Sequence, residues 1–203
     1  MVKKDFTPIF VPKQFKMKMN KNLITALVLM ILTTALYRVF PNRPIGFAPQ
    51  MAVALFAGSL LMNNKKYAFL LPLISMLVSD GIYQLLYING LTEISGFYSG
   101  QWVNYLLIVG LTAFGFLIKK SNVLAILGTS VAAPSVYFVL SNGLVWIAGG
   151  GWGHPKTLAG LMATYADGLP FYPNSIYATL FFSAVLFGGY ALLKRKEAST
   201  HAA

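Results

Sequence analysis

Apolar runs close to 20 residues long, interrupted by few charges, constrain this chain more than any other feature. "NLITALVLMILTTALY" (22–37), "AFLLPLISMLV" (68–78), "VLAILGTSVAAPSVYFVLSNGLVWIA" (123–148) and "SIYATLFFSAVLFGGYALL" (175–193) are long for soluble strands and short of the polar face that a soluble amphipathic helix needs. About 20 apolar residues are required for a helix to cross a bilayer. Only 10% of the 203 residues are charged and 57% are hydrophobic, where a soluble domain carries about 25% charged residues. The expected fold class is therefore an all-α integral membrane protein. With no cysteine in the chain, disulfides, thiolate catalysis and Cys-ligated metals are excluded.

Six transmembrane helices can be drawn, near 22–40, 48–62, 67–89, 101–118, 123–148 and 175–193. They divide the chain into a basic segment 1–21, a membrane domain 22–193 and a basic tail 194–203. The positive charges orient the spans. Lys3, Lys4, Lys13, Lys16, Lys18, Lys21, Lys65, Lys66, Lys119, Lys120, Lys194, Arg195 and Lys196 fall on one side, and only Arg38, Arg43 and Lys156 on the other. The positive-inside rule then puts both termini in the cytoplasm of a multi-pass protein of the cell inner membrane. The net charge of +11 is explained by these clusters beside apolar runs, so nucleic acid is not expected as a partner. The first span sits behind a long basic segment and lacks a small-x-small cleavage site, which sets it apart from a cleaved signal. The segment before it, alternating Lys with Phe, Val, Ile and Met, suits anionic lipid at the bilayer surface.

The connections on the outer side are the longer ones: "PNRPIGF" (41–47), "NGLTEISGFYSG" (89–100) and "GGGWGHPKTLAGLMATYADGLPFYPNS" (149–175). Long loops in a compact domain are usually functional. In the last of them Thr157 is placed to cap a short extra helix. Leu158, Leu161, Met162 and Tyr165 form one apolar stripe, and Gly168 supplies a stop. That helix reads as either an interfacial anchor or a lid, 149–168, hinged at its glycines.

The polar residues at span depth are the candidate site. Asp80 lies about 20 Å into the third span at 1.5 Å per residue. A carboxylate at the centre of a membrane helix costs about 2.5–3.5 kcal/mol. Tyr83, Gln84 and Tyr87 share its face. Gln101, Trp102, Asn104 and Tyr105 open the fourth span, Tyr137, Ser141, Asn142 and Trp146 occupy the outer end of the fifth, and Tyr37, Arg38 and Asn42 that of the first. If these stripes converge they form an outward-facing cavity suited to a ring-bearing, hydrogen-bonding solute. The expected ligand-binding residues are Asp80, Gln84, Trp102, Asn104, Asn142, Trp146 and His154. Arg38 and Arg43 are candidate ion-pair partners for Asp80, which either pairs within the protein or meets the ligand. His154 lacks the companions of a metal site, and no cofactor is expected. Ala48/Ala52, Ala54/Gly58, Gly128/Ala132 and Ala184/Gly188 place small residues at the spacing that lets helices approach closely.

At "RVFPNRPIGFAPQMAVALFAGSLL" (38–61), "LPLISMLVSDGIY" (71–83) and "GHPKTLAGLMATYADGLPFYPNSIYATLFFSAVLFG" (153–188) the chain resembles a family of uncharacterised six-span bacterial membrane proteins. Its architecture is similar to the substrate-binding S-components of energy-coupling-factor vitamin transporters. That resemblance implies uptake of a vitamin-like nutrient through an outward-facing pocket, in a lipid bilayer, with an energy-coupling module or other membrane subunits as partners. The first span lacks the Ala-xxx-Ala pattern with which many S-components dock that module. The expected chemistry is binding of a small-molecule ligand, and no enzymatic arrangement of Ser, His and Asp, metal cluster or phosphate loop is visible. The alternative is a structural or accessory subunit of a larger membrane complex.

Overall fold

The computed structural model describes residues 21–119, 121–149 and 151–200. The basic segment before Lys21 and the end of the tail, with His201, lie outside the described residues. What is described is all helix, joined by turns and loops: α1 (Lys21–Arg38), α2 (Gln50–Leu60), α3 (Lys65–Ile88), α4 (Gln101–Gly110), α5 (Thr112–Gly115), α6 (Val123–Ala148), α7 (Leu158–Gly168) and α8 (Tyr172–Thr200). Among the described residues, three helical stretches are long and apolar enough to cross a membrane: α3, α6, and the continuous run from Leu158 to Lys194 that joins α7 to α8.

The shortest of the expected spans is the centre of the molecule. Residues 50–58 of α2 are all buried, and α2 packs against α3, α5, α6 and α8. Its two faces feed two apolar clusters. Met51, Leu55 and Phe56 meet Leu111, Ile118, Ala133 and Phe187, while Val53, Ala57 and Leu61 meet Leu27, Ala68 and Leu71. Apolar residues on every side are what a helix needs when protein surrounds it. Gly58 permits the tightest approach. A Cβ there would lie 2.9 Å from the Cα of Gly115 and against the Thr112 carbonyl. The Ala54/Gly58 spacing thus serves contact with α5. Gly128 and Gly188 have nothing within 4 Å of a built Cβ, so those two small-residue pairs face away from the bundle instead of joining its helices.

The helix bounds follow local chemistry. Asn122 caps α6 by accepting from the Ala125 N–H at 3.0 Å, and Gly149 ends it in the left-handed conformation, φ 74°. The expected fourth span is interrupted at Leu111. There the N–H is shared between the Leu107 and Ile108 carbonyls, at 3.2 and 3.1 Å, and i→i+3 bonds tighten the chain after Gly115. Thr157 caps α7 through the Gly160 N–H at 3.2 Å, as its position predicts. Gly168 is the last residue of α7, as expected, but without the left-handed turn of a glycine stop. Its φ of −78° is right-handed, and a single 3-10 turn, Leu169–Phe171, carries α7 into α8. Glycine is required there for another reason: a Cβ would press on the Asn142 side chain, 3.0 Å from its Cγ. The basic residues expected to begin a separate tail at 194 continue α8 to Thr200.

One end of the bundle gathers Lys65, which lies 5.9 Å from the Phe116 ring, and the Ser59 hydroxyl, which donates to the Ile118 carbonyl at 2.8 Å. The opposite end gathers Arg38, Asp80 and the start of α4. It is called the arginine end below.

Candidate functional site

Asp80 is 1% exposed, and each of its oxygens has a donor within the protein. Arg38 Nη1 pairs with Oδ1. Gln101 Nε2 donates to Oδ2 at 2.6 Å, and the Tyr105 hydroxyl donates to the same oxygen. Arg38 also donates to the Ser79 hydroxyl at 2.6 Å and lies over the Tyr83 ring, 5.6 Å from its centroid. Three elements, α1, α3 and α4, meet here because the sequence puts a charge near the end of α1 and its counter-charge two-thirds along α3. Helices α1 and α3 run side by side in the same direction, with Thr34 and Ser75 hydrogen-bonded at 3.0 Å one turn earlier. The carboxylate thus exchanges water for three donors, the arrangement a buried charge requires.

The loop between α3 and α4 closes over this pair. Gly96 sits so tightly on α3 that a Cβ would strike the Asp80 carbonyl and the Gln84 backbone. Gln84 holds the loop there, its Oε1 accepting from the Gly96 N–H at 3.2 Å and the Ser95 hydroxyl at 3.3 Å. Gln101 completes the clasp by donating to the Gly96 carbonyl at 2.9 Å.

Beside the ion pair lies a cavity of about 180 Å³. Arg38, Arg43, Gln50, Asn104 and Tyr137 form its polar wall, and Met51, Met76 and Ile108 its apolar floor. A second cavity, about 270 Å³, adjoins it and has an aromatic side, with Phe138, Phe171 and Tyr172 around Asn142 and Gly168. Gly46, Tyr137 and Ser175 belong to the walls of both. Tyr137 stands at the junction with its hydroxyl fixed to Asn104 Oδ1 at 2.6 Å. The loop from α1 to α2 forms the remaining side. It is pinned by Arg43 Nε donating to the Arg38 carbonyl at 2.7 Å, by Tyr83 donating to the same carbonyl at 2.8 Å, and by Asn174 donating to the Ile45 carbonyl at 2.9 Å. Gly46 adopts φ 84° and leaves no room for a side chain, since a Cβ would lie 2.8 Å from the Phe171 carbonyl.

The segment 151–168 folds back along α6. Trp146 Nε1 donates to the Pro155 carbonyl at 3.0 Å, Lys156 donates to the Ile147 carbonyl at 2.9 Å, and the Tyr165 hydroxyl donates to the Val139 carbonyl at 2.9 Å. His154 pairs with Asp167, Nε2 to Oδ2 at 2.6 Å. The glycines before it, Gly149, Gly151 and Gly153, all take positive φ.

Of the seven residues expected to bind ligand, Asn104 and Asn142 line the cavities. Asp80 is sealed behind Arg38. Gln84 fastens the α3–α4 loop, and Trp146 and His154 fasten the segment over α6. Trp102 is 65% exposed on the surface. Of the candidate ion-pair partners, Arg38 is the one that pairs with Asp80, and Arg43 faces the cavity. Sequence reasoning passed over Gln50. It opens α2 as the one polar side chain ahead of an apolar run, "QMAVALFAG", and that isolation was the available signal. Among the described residues no three His, Asp or Glu side chains cluster to hold a metal.

Comparison with curated proteins and with solved structures finds no match. A family model matches residues 18–201, nearly the whole chain, and its description is a family of unknown function, DUF6580. The cavities, the ion pair and the helices that carry them all lie within the matched residues, and the chain belongs to that family.

Proposed function

We infer that this is a six-span protein of the cell inner membrane, both termini cytoplasmic, that binds a vitamin-like small molecule from outside in the manner of an S-component. The observation that carries the reading is the pair of adjoining cavities at the arginine end. They join a donor-rich wall to an aromatic chamber, the lining expected for a ring-bearing solute. The charge distribution supports the direction: Lys65, Lys66, Lys119 and Lys194 to Lys196 would face the cytoplasm, and the arginine end the outside. Segment 151–168 would act as the cover of the aromatic chamber, released by breaking the His154–Asp167 pair and the Trp146 and Lys156 contacts. The work would be binding without bond-making.

Topology has a direct test because the chain has no cysteine of its own. A Ser95→Cys variant is expected to react with a membrane-impermeant maleimide added to intact cells, and Asn64→Cys only after lysis. The reverse pattern would invert the protein and bring the cavities to the cytoplasmic side. For function, protein purified in mild detergent is screened for co-purifying small molecules and by thermal shift against the water-soluble vitamins. At least one binder is expected, whereas a protein that carries nothing and ignores the whole panel contradicts the reading.

The alternative of an accessory subunit draws on exposed aromatics at the same end, Trp102 at 65% and Trp152 at 81%. A stoichiometric membrane partner recovered in mild detergent, without any transporter ATPase, would favour it.

A further inference from the structure

We propose that the smaller cavity is a seat for a compact oxyanion group, a carboxylate or phosphate, carried by a ligand whose ring occupies the adjoining aromatic chamber. This rests on the binding function inferred above and names the chemical class that would bind.

Three features point to a hydrogen-bond acceptor here, and two of them, the start of α2 and Arg43, to one that carries negative charge. Gln50 is 4% exposed, lines the cavity, and its Nε2 has no hydrogen-bond partner. A buried amide donor without an acceptor costs free energy until something supplies one. Gln50 is also the first residue of α2, an 11-residue helix whose N-cap, Pro49, provides no side-chain oxygen to its free N–H groups. Those N–H groups and the positive end of the helix dipole therefore act on the same space.

The cations complete the case. Arg38 is neutralised by Asp80, but Arg43 has no carboxylate within 4.0 Å among the described residues. Its Nε and Nη1 donate to the Arg38 and Phe47 carbonyls, at 2.7 and 3.3 Å, which fixes the guanidinium at the cavity wall. A guanidinium has five N–H donors, so donors remain for a ligand. No Asp or Glu lines either cavity. A neutral ring would satisfy the aromatic chamber alone, and a cationic group would meet an uncompensated arginine. An oxyanion satisfies Gln50, Arg43 and the start of α2 together.

The test uses delipidated full-length protein in detergent, titrated with 3-phenylpropionate, with its uncharged isostere 3-phenylpropionamide, and with inorganic phosphate. The carboxylate is expected to bind at least about tenfold more tightly than the amide, as charge-assisted hydrogen bonds require. Arg43→Gln is expected to remove that preference. Gln50→Leu, which removes the unpaired donor without touching the loop, is expected to weaken the carboxylate and leave the folded protein at least as stable. Equal binding of carboxylate and amide overturns the proposal. So does carboxylate affinity unchanged in both variants, or the failure of carboxylate and phosphate alike to bind. Competition by phosphatidylglycerol but not phosphatidylcholine in nanodiscs would support the seat with a lipid headgroup as its source, and lack of competition would support it with a free solute. Failure of the uptake reading looks different. There the anion preference persists and depends on Arg43 and Gln50, yet no solute co-purifies. A neutral solute that co-purifies and binds unaffected by either variant keeps uptake and removes the seat.

Discussion

Asp80→Asn is expected to destabilise the protein by about 3–5 kcal/mol, the cost of leaving one member of a buried ion pair without the other. Arg38, Gln101 and Tyr105 all donate to this carboxylate. An asparagine keeps one acceptor oxygen and turns an NH₂ group toward donors, so at least one buried donor is orphaned while Arg38 keeps its charge. The α3–α4 loop loses part of its anchorage as well, because Gln101 joins Asp80 to Gly96. Denaturation in detergent measures the effect. The double variant Arg38→Met with Asp80→Leu is expected to recover more than half of the loss, since removing both charges removes the unpaired one. A single variant within about 1 kcal/mol of the native protein, the ordinary value of an exposed pair, would contradict the structural role given to Asp80.

Gly58→Leu is expected to be as damaging for a different reason. The added Cβ meets backbone, the Gly115 Cα at 2.9 Å and the Thr112 carbonyl, and neither can rotate aside as a side chain would. Overpacking of this kind costs about 1–3 kcal/mol and more when the backbone must move. Because α2 is the centre of both apolar clusters, the upper end of that range or failure to accumulate is expected. Gly128→Leu is the matched comparison. It has the same small-residue spacing and open space around it, so it is expected to stay within about 0.5 kcal/mol of the native protein. Equal effects at the two positions would mean that α2 and α5 are not in backbone contact.

These two glycines also mark what a sequence can reveal. Spacing of small residues identifies places where helices are able to approach, but Gly58 and Gly128 look alike until a partner is known. The bounds expected for the fifth span, 123–148, are those of α6, and both of its ends are set locally: Asn122 caps it and Gly149 turns it off. Gly168 was legible as the last residue of α7, yet glycine has a second use there. It read as a terminator and is a point of close approach to Asn142. The close approach had to be judged from a neighbour 26 positions away.

The site was legible in part for the same reason. A charge within an apolar run demands a partner, so Arg38 and Arg43 could both be named for Asp80, and only the fold selects Arg38. Which polar residues would line a cavity depended on side-chain direction. Gln84, Trp146 and His154 were expected in the same site as Asn104 and Asn142, yet they hold loops in place. Polarity at a given depth cannot separate a residue that fastens a loop from one that waits for a ligand. Gln50 was hidden by its position, since a polar residue beginning an apolar helix ordinarily marks the edge of the membrane. Its isolation ahead of an apolar run was a hint, and its burial and missing hydrogen-bond partner are what distinguish it.

The most direct measurement of the central claim is the amount of small molecule bound per protein, determined by native mass spectrometry on the unmodified chain and on Ser175→Phe. Ser175 belongs to the walls of both cavities, so a phenyl ring there fills space that a ligand would need while leaving the Asp80 network untouched. Stoichiometric ligand on the native protein and its loss from a folded Ser175→Phe variant is the result expected. A ligand retained in full by Ser175→Phe, or none on either protein in the presence of the vitamin panel, would contradict the account.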